Sequence, residues 1–107
     1  MKLPKKDLTK AKARILKALS DPIRLEICEF LRDGEKCVCE IVPHIGLVQP
    51  LISRHLRILK ECGIVSDRRE GNRKLYSVID GRIFEVVDAI SPDLVNALSA
   101  QIIERTL

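Results

Sequence analysis

Apolar residues recur at helical spacing over the first third of the chain and predict two helices there. Residues 8–19 carry an apolar stripe opposite a set of lysines, which is typical of an amphipathic helix. Asp21 and Pro22 form a helix start signal, because an aspartate caps the free N–H groups and proline fits the first turn. Gly34 marks the end of this second helix, which we expect over residues 22–31.

The middle of the chain predicts two further helices joined by a short turn. The third covers about residues 37–44 and ends at Gly46, and the fourth runs from Gln49 or Pro50 to Cys62. Two helices joined by about four residues that include a glycine are typical of a helix-turn-helix, which we expect over residues 36–62. Successive steps of about 100° place the apolar residues of the fourth helix on one face and its polar and basic residues on the other.

After Gly63 the apolar residues alternate with polar ones, which predicts a β-hairpin over residues 64–79 with arginines near its tip. Apolar helical patterns return in residues 81–107. The expected fold is therefore mainly α with a β-hairpin wing, in the order α-α-α-α-β-β-α-α. This is a winged helix-turn-helix, and we expect a single domain over residues 1–107.

Composition limits the class of protein. The chain has 107 residues, of which 46% are hydrophobic, so it has room for one core. It contains neither an apolar run of the ~18 to 20 residues that a membrane span needs nor a signal-type cleavage site, so we expect a cytoplasmic protein with no membrane partner. In that compartment the four cysteines stay reduced, so they do not predict a disulfide framework.

Charge is unevenly distributed along the chain. The net charge is +4, but residues 1–17 and 53–74 are strongly basic while 18–52 and 80–107 are acidic overall. A DNA-recognition helix needs an apolar face toward its own domain and a donor-rich face toward the nucleic acid. The fourth helix and the hairpin meet this requirement, which favours double-stranded DNA as the partner.

The side chains on that basic surface have the chemistry for DNA contacts. Gln49, Arg54 and Arg57 have the donors and acceptors to read base edges, whereas Ser53 and Lys60 are suited to phosphates. The candidate DNA-binding residues are Gln49, Pro50, Ser53, Arg54, His55, Arg57, Lys60, Arg68, Arg69, Arg73 and Lys74. For His55, an alternative is a half-buried ring bonded to backbone or to the neighbouring helix. For the whole surface, the alternative is a solvated charged face on a winged helix that binds protein and not DNA.

Four segments carry a resemblance to a known family. They are residues 19–27 (LSDPIRLEI), 37–41 (CVCEI), 49–56 (QPLISRHL) and 63–71 (GIVSDRREG). With them, residues 20–78 resemble the ArsR (ArsR/SmtB) family of metal- and redox-responsive transcriptional repressors. The resemblance implies a homodimer that pairs through helices 8–19 and 81–107, binds an inverted-repeat operator and releases it when an inducer binds. Relatives usually have Ser where this chain has Val48, so a hydroxyl cap is missing at the start of the fourth helix.

The resemblance also points to Cys37 and Cys39 as sensor residues. In arsenic-responsive members this pair belongs to a three-thiolate site, but the position of the third cysteine is Val42 here. A soft metal or As(III) would then need another donor, from Cys28, Cys62, a partner subunit or an exogenous thiol. On a regular helix, residues two apart point about 200° apart, so we expect the two sulfurs to share an ion only after local unwinding.

Three roles remain open for the cysteines. They bind a soft metal or a metalloid such as arsenite as inducer, they sense oxidants through thiol chemistry, or they are small buried apolar residues. The chain offers no set of nucleophile, base and orienting residue that we can assign to one cleft. We therefore expect a regulator that is not an enzyme.

Overall fold

The computed structural model describes residues 2–106 of the chain, and the side chains of residues 2–102. The helices are α1 Lys5–Leu19, α2 Pro22–Phe30, α3 Val38–Ile45, α4 Gln49–Glu61, α5 Arg82–Asp88 and α6 Pro92–Thr106, and the strands are β1 Lys36–Cys37, β2 Val65–Glu70 and β3 Arg73–Val78. A short 3₁₀ turn, Leu31–Asp33, follows α2. This mainly helical, winged architecture confirms the expected fold class.

The sheet differs from the expected two-stranded hairpin. It has three antiparallel strands in the order β1-β3-β2, because β1 adds to the outer edge of β3. Lys36 lies opposite Tyr76, and Cys37 lies opposite Leu75. A strand of two residues is too short to show an alternating pattern, so the sequence contained no signal for it.

The helix-turn-helix packs its inner faces into the core. Gly46 ends α3 in the left-handed conformation with a φ of 83°, which a residue without Cβ adopts freely, and the chain then turns into α4. The fully or almost fully buried aliphatic side chains come from α2, α3, α4 and β2: Ile27, Ile41, Ile52, Leu56, Leu59 and Val65. This shared core fixes α4 relative to the wing.

Helix starts follow the local sequence. Asp21 caps α2, since its Oδ1 accepts hydrogen bonds from the N–H groups of Ile23 at 2.8 Å and Arg24 at 3.1 Å. Val48 is the residue before α4, and its side chain makes no cap, as the sequence predicted. Helix α1 begins three residues before the expected segment 8–19.

The terminal helices leave apolar side chains in solvent. Exposed apolar residues on α1, α2, α5 and α6 include Leu16, Leu25, Val86, Leu94, Val95 and Leu98. The molecule is elongated, with a longest axis of 55 Å and a radius of gyration of 16.3 Å, against about 13 Å for a compact domain of ~100 residues. Within residues 2–106, no helix is both long enough and apolar enough to cross a membrane.

Candidate nucleic-acid interface and cysteine pair

Helix α4 separates its residues into two faces, as its sequence predicts. Ile52, Leu56 and Leu59 are fully buried, whereas Arg54 and Arg57 are exposed. The buried face holds the helix on the domain because each large aliphatic side chain gains about 1.5–3 kcal/mol on burial. The polar face is thus presented on a rigid element.

A single open groove of about 850 Å³ collects most of the predicted site residues. It lies between the polar face of α4, the wing and the start of α3. The predicted residues that line it are Cys37, Cys39, Gln49, Pro50, Ser53, Arg54, Arg57, Lys60, Arg69, Arg73 and Lys74. His55 and Arg68 are the two predicted residues that do not. The groove therefore joins the candidate DNA-binding surface to the cysteine pair.

Arg68 is outside the groove because side chains alternate along β2. Arg69 lies opposite Lys74 and lines the groove with it, while its neighbour Arg68 belongs to the other face of the strand. The Arg68 guanidinium pairs with Glu35 and, at 3.0 Å, with Glu70. The hydrogen bond from Arg68 lowers the pKa of the Glu35 carboxyl, although burial raises it by a smaller amount.

His55 faces the neighbouring helix and not the groove. Its Nδ1 lies 3.2 Å from Nη1 of Arg24 and 4.0 Å from Oδ1 of Asp21. Since an arginine only donates, Nδ1 accepts this hydrogen bond. Nε of Arg24 also donates to the carbonyl of Ala18 at 2.5 Å, so the cluster ties α4 to α2 and to the end of α1. These contacts match the alternative interpretation, a half-buried ring bonded to a neighbouring helix.

One carboxylate links α4 to the wing through two lysines that line the groove. Asp67 accepts from Nζ of Lys60 at 3.0 Å and from Nζ of Lys74 at 3.2 Å. Both hydrogen bonds lower the pKa of the Asp67 carboxyl, and the one from Lys60 has the larger effect. Partial burial raises the pKa but does not outweigh them. In the part of the chain that the structure describes, Arg54 and Arg69 have no ion-pair partner. The groove therefore holds both paired and unpaired cations.

Cys37 lies outside α3, contrary to the expected helix boundary. Its backbone is extended, with φ −71° and ψ 148°, and its Sγ accepts from the N–H of Cys39 at 3.0 Å. The N–H of Cys37 in turn donates to Oε1 of Glu40 at 3.1 Å, which completes a capping box. Cys37 is buried and Cys39 is exposed.

The two sulfurs meet, so the expectation that they point about 200° apart is wrong. The angle holds only when both residues are helical, and Cys37 is extended. The Cα atoms are 5.0 Å apart and a disulfide joins the side chains, a separation within the usual range of ~4.4–6.8 Å. The expectation that all four cysteines stay reduced is therefore wrong for this pair, while Cys28 and Cys62 are free. The local unwinding that a shared ligand requires is thus already built into the chain.

The pair fits a thiophilic ligand but does not form a complete metal site. Two adjacent thiolates are the donor type that soft ions prefer. Among the described residues, no group of three or more His, Cys, Asp or Glu side chains is arranged to hold a metal ion. Cys28 is buried, and burial raises the pKa of its thiol to about 11, so it is a weak source of a third thiolate.

Comparison with known proteins identifies the family. A family model described as bacterial regulatory protein, arsR family, matches residues 21–67. A probable mercury resistance operon repressor from Streptomyces lividans is 45% identical over an alignment that covers 70% of this chain and 60% of that protein. The arsenic resistance transcriptional regulator ArsR1 from Pseudomonas putida is 40% identical, with 74% of this chain and 71% of the relative covered. The chain belongs to the arsR family of bacterial regulatory proteins.

A solved structure agrees with the arsR assignment. The homodimeric winged helix-turn-helix DNA-binding domain of a possible ArsR-family regulator from Mycobacterium bovis superimposes with a TM-score of 0.78 at 31% identity. The match covers 91% of this chain and 93% of that domain. This arsR-family protein is therefore a winged helix-turn-helix transcriptional regulator and not an enzyme.

Sequence reasoning missed the acidic partners in this arsR-family chain. Three carboxylates form ion pairs with basic side chains of the wing or of α4, namely Asp67 with Lys60, Glu35 with Arg68 and Glu40 with Arg73. For Asp67 a signal existed, since it lies two residues from Arg69 on β2 and alternation places both on one face. For Glu35 and Glu40 there was none, because their contacts depend on the pairing of β1 with β3.

Proposed function

We propose that this arsR-family chain is a homodimeric repressor that binds an inverted-repeat operator and is released when a soft metal or a metalloid such as arsenite binds Cys37 and Cys39. The observation that carries the proposal is that the cysteine pair and the basic face of α4 line one groove. A ligand bound at the pair changes the surface that DNA would occupy. Such a repressor would act in the cytoplasm, where the DNA lies.

The DNA contacts follow from the two faces of α4. In the major groove, Gln49, Arg54 and Arg57 would read base edges, while Ser53 and Lys60 would contact phosphates. The wing residues Arg69, Arg73 and Lys74 would hold the adjacent backbone or minor groove. Support comes from the exposure of the polar residues of α4, a helix whose opposite face buries Ile52, Leu56 and Leu59 completely.

Dimerisation would use the terminal helices. Apolar side chains of α1, of α2, of α5 and of the residues just after it line a second groove of about 350 Å³, which includes Leu16, Leu25, Val86 and Ile90. On α6, Leu98 adds a further exposed apolar side chain. Pairing two copies would cover these residues and set two α4 helices at the spacing of an inverted repeat.

Salt-dependent DNA binding tests the first part of the proposal. We expect affinity for a random-sequence duplex to fall steeply with salt concentration, because each neutralised phosphate adds about 0.9 to the slope of log affinity against log salt. Arg54→Ala is expected to weaken binding, while Arg82→Ala, which removes an exposed arginine paired with Asp80, is the matched control. Absence of duplex binding at low salt would contradict the proposal and favour a protein-interaction module.

Metal titration tests the inducer. Adding arsenite, Cd(II) or Pb(II) to the reduced protein is expected to produce the ultraviolet absorbance of thiolate-to-metal charge transfer and to lower DNA affinity. The Cys37→Ser/Cys39→Ser double variant should show neither effect. Cys62→Ser keeps the pair and should still bind the ion, and it should bind more weakly only if the free Cys62 supplies the third donor. If wild type and double variant respond alike, the pair is not the sensor.

A second candidate is a thiol-based redox sensor that uses the same cysteines. It is favoured by the disulfide that joins Cys37 and Cys39 across a Cα separation of 5.0 Å. Reduced protein that ignores metals but loses DNA affinity after oxidation, and regains it with a dithiol reductant, would support this candidate over the metal sensor.

A further inference from the structure

Cys37 is connected to the wing in two ways. Its backbone pairs with Leu75 of β3 through the short strand β1. Its N–H donates to Oε1 of Glu40 at 3.1 Å, and the same oxygen accepts from Nη2 of Arg73 at 3.2 Å. Because one carboxylate oxygen serves both donors, a movement of either donor changes the hydrogen bond to the other.

Arg73 is a cation that Glu40 and DNA would compete for. It lines the groove and is half exposed, with 51% of its side chain in solvent against 46% for Glu40. A phosphate can therefore reach the guanidinium, but the Glu40 carboxylate already occupies a donor on Nη2 and repels a second anion. When Glu40 is held beside Arg73, a contact between Arg73 and a DNA phosphate therefore adds less to the binding free energy.

We infer that Glu40 is a positioning residue that couples the chemical state of the cysteine pair to Arg73. With the disulfide closed, the capping box keeps Glu40 beside Arg73 and holds this arginine away from DNA. When a dithiol reductant supplies two electrons and two protons, the disulfide becomes two thiols and the first turn of α3 loses its cross-link. Glu40 then releases Arg73 to a phosphate. The inference rests on the redox candidate of the proposed function, since it assigns how the state of the cysteine pair regulates the same groove.

Salt dependence of duplex binding measures this release. One added phosphate contact steepens the slope of log affinity against log salt by about 0.9 for each bound wing, so the dithiol form should show the steeper slope. A random-sequence duplex is the probe, because phosphate contacts carry no sequence information. In Glu40→Gln the amide oxygen can still accept from the Cys37 N–H, but the charge that holds Arg73 is gone. We therefore expect both forms of this variant to share one slope.

Glu61→Gln is the matched control. Glu61 lies 4.0 Å from Arg57 on α4, so the substitution removes the same charge from the DNA-binding side of the protein without a link to Cys37. It should keep the wild-type difference between the two forms. The inference is overturned if Glu40→Gln keeps that difference, or if Glu61→Gln abolishes it to the same extent.

Amide hydrogen exchange at Cys37 tests the link without DNA. In the disulfide form, Arg73→Gln removes a partner that orders Glu40, so the Cys37 N–H should exchange faster than in wild type. Arg69→Gln, which removes an unpaired arginine from the same groove, should leave the exchange unchanged. Unchanged exchange in Arg73→Gln overturns the inference even if cysteine chemistry regulates DNA binding. Wild-type disulfide and dithiol forms that bind the duplex with the same salt slope would also overturn the inference, and with it the redox candidate. A loss of DNA affinity on metal binding to the reduced pair would still support the proposed metal sensor.

Discussion

At the scale of single residues, carboxylates determine how much of the groove's positive charge is available to DNA. Asp67 binds both Lys60 and Lys74, whereas Arg54 and Arg69 have no ion pair with any described residue. A phosphate that approaches a paired lysine is repelled by the carboxylate already bound there, while an unpaired arginine binds a phosphate without this competing anion. The unpaired arginines should therefore contribute more to affinity than the lysines.

Replacing Asp67 separates stability from DNA affinity. Asp67→Asn is expected to lower the free energy of unfolding by about 1 kcal/mol, because two charge-assisted hydrogen bonds between α4 and the wing are weakened. It should raise affinity for duplex DNA, since both lysines lose their competing anion. Urea unfolding and duplex titration measure the two effects. Glu26→Gln, an equal charge change at an exposed position inside α2, should alter neither by a comparable amount.

The same carboxylate gives a defined pH dependence. The pKa of Asp67 is lowered from 3.8 in the folded protein, so its stabilising effect is complete above the unfolded value and is lost as the pH falls through the lower folded value. We expect the difference in unfolding free energy between wild type and Asp67→Asn to be constant above about pH 5 and to shrink below pH 3.8. A difference that grows on acidification would contradict this account.

At the scale of elements, α4 begins without a side-chain hydrogen bond to the free N–H groups of its first turn. Val48 has φ −63° and ψ 149°, the extended backbone of a cap residue, but its side chain is apolar and makes no cap bond. Val48→Ser should therefore stabilise the protein by roughly 1 kcal/mol through a hydrogen bond to the first turn. Urea unfolding checks the gain, and Val48→Ala, which removes the same apolar bulk without adding an acceptor, should not show it.

The elements show what the sequence could predict and where it failed. Helices with strong periodicity and clear stop signals, such as α2 and α4, were predicted to within a few residues. Strand β1 was not, because its two residues are held by pairing with β3 about 40 positions away. The same pairing keeps Cys37 extended and brings its sulfur to Cys39. The candidate groove was thus predictable in its cations but not in the geometry of its cysteines.

At the scale of the whole molecule, the exposed apolar face of the terminal helices predicts that the working unit is larger than one chain. Leu98 on α6 is 57% exposed and Leu16 on α1 is 55% exposed. Since each is already nearly half buried, full burial would gain about half of the ~1.5–3 kcal/mol of a whole side chain. Leu98→Glu should therefore shift the protein from dimer to monomer, because a dimer would have to bury an unpaired carboxylate.

Sedimentation at micromolar concentration measures the shift from dimer to monomer. Val48→Glu is the matched control, because it places the same charge on an exposed apolar position of the DNA-binding side, and it should stay dimeric. The monomer should also bind a duplex with a lower salt slope, because one α4 helix and one wing contact fewer phosphates than two. A Leu98→Glu protein that stays dimeric would exclude this part of α6 from the interface. If it became monomeric but kept the wild-type salt slope, a single chain would make all the phosphate contacts, and an inverted repeat would not be needed.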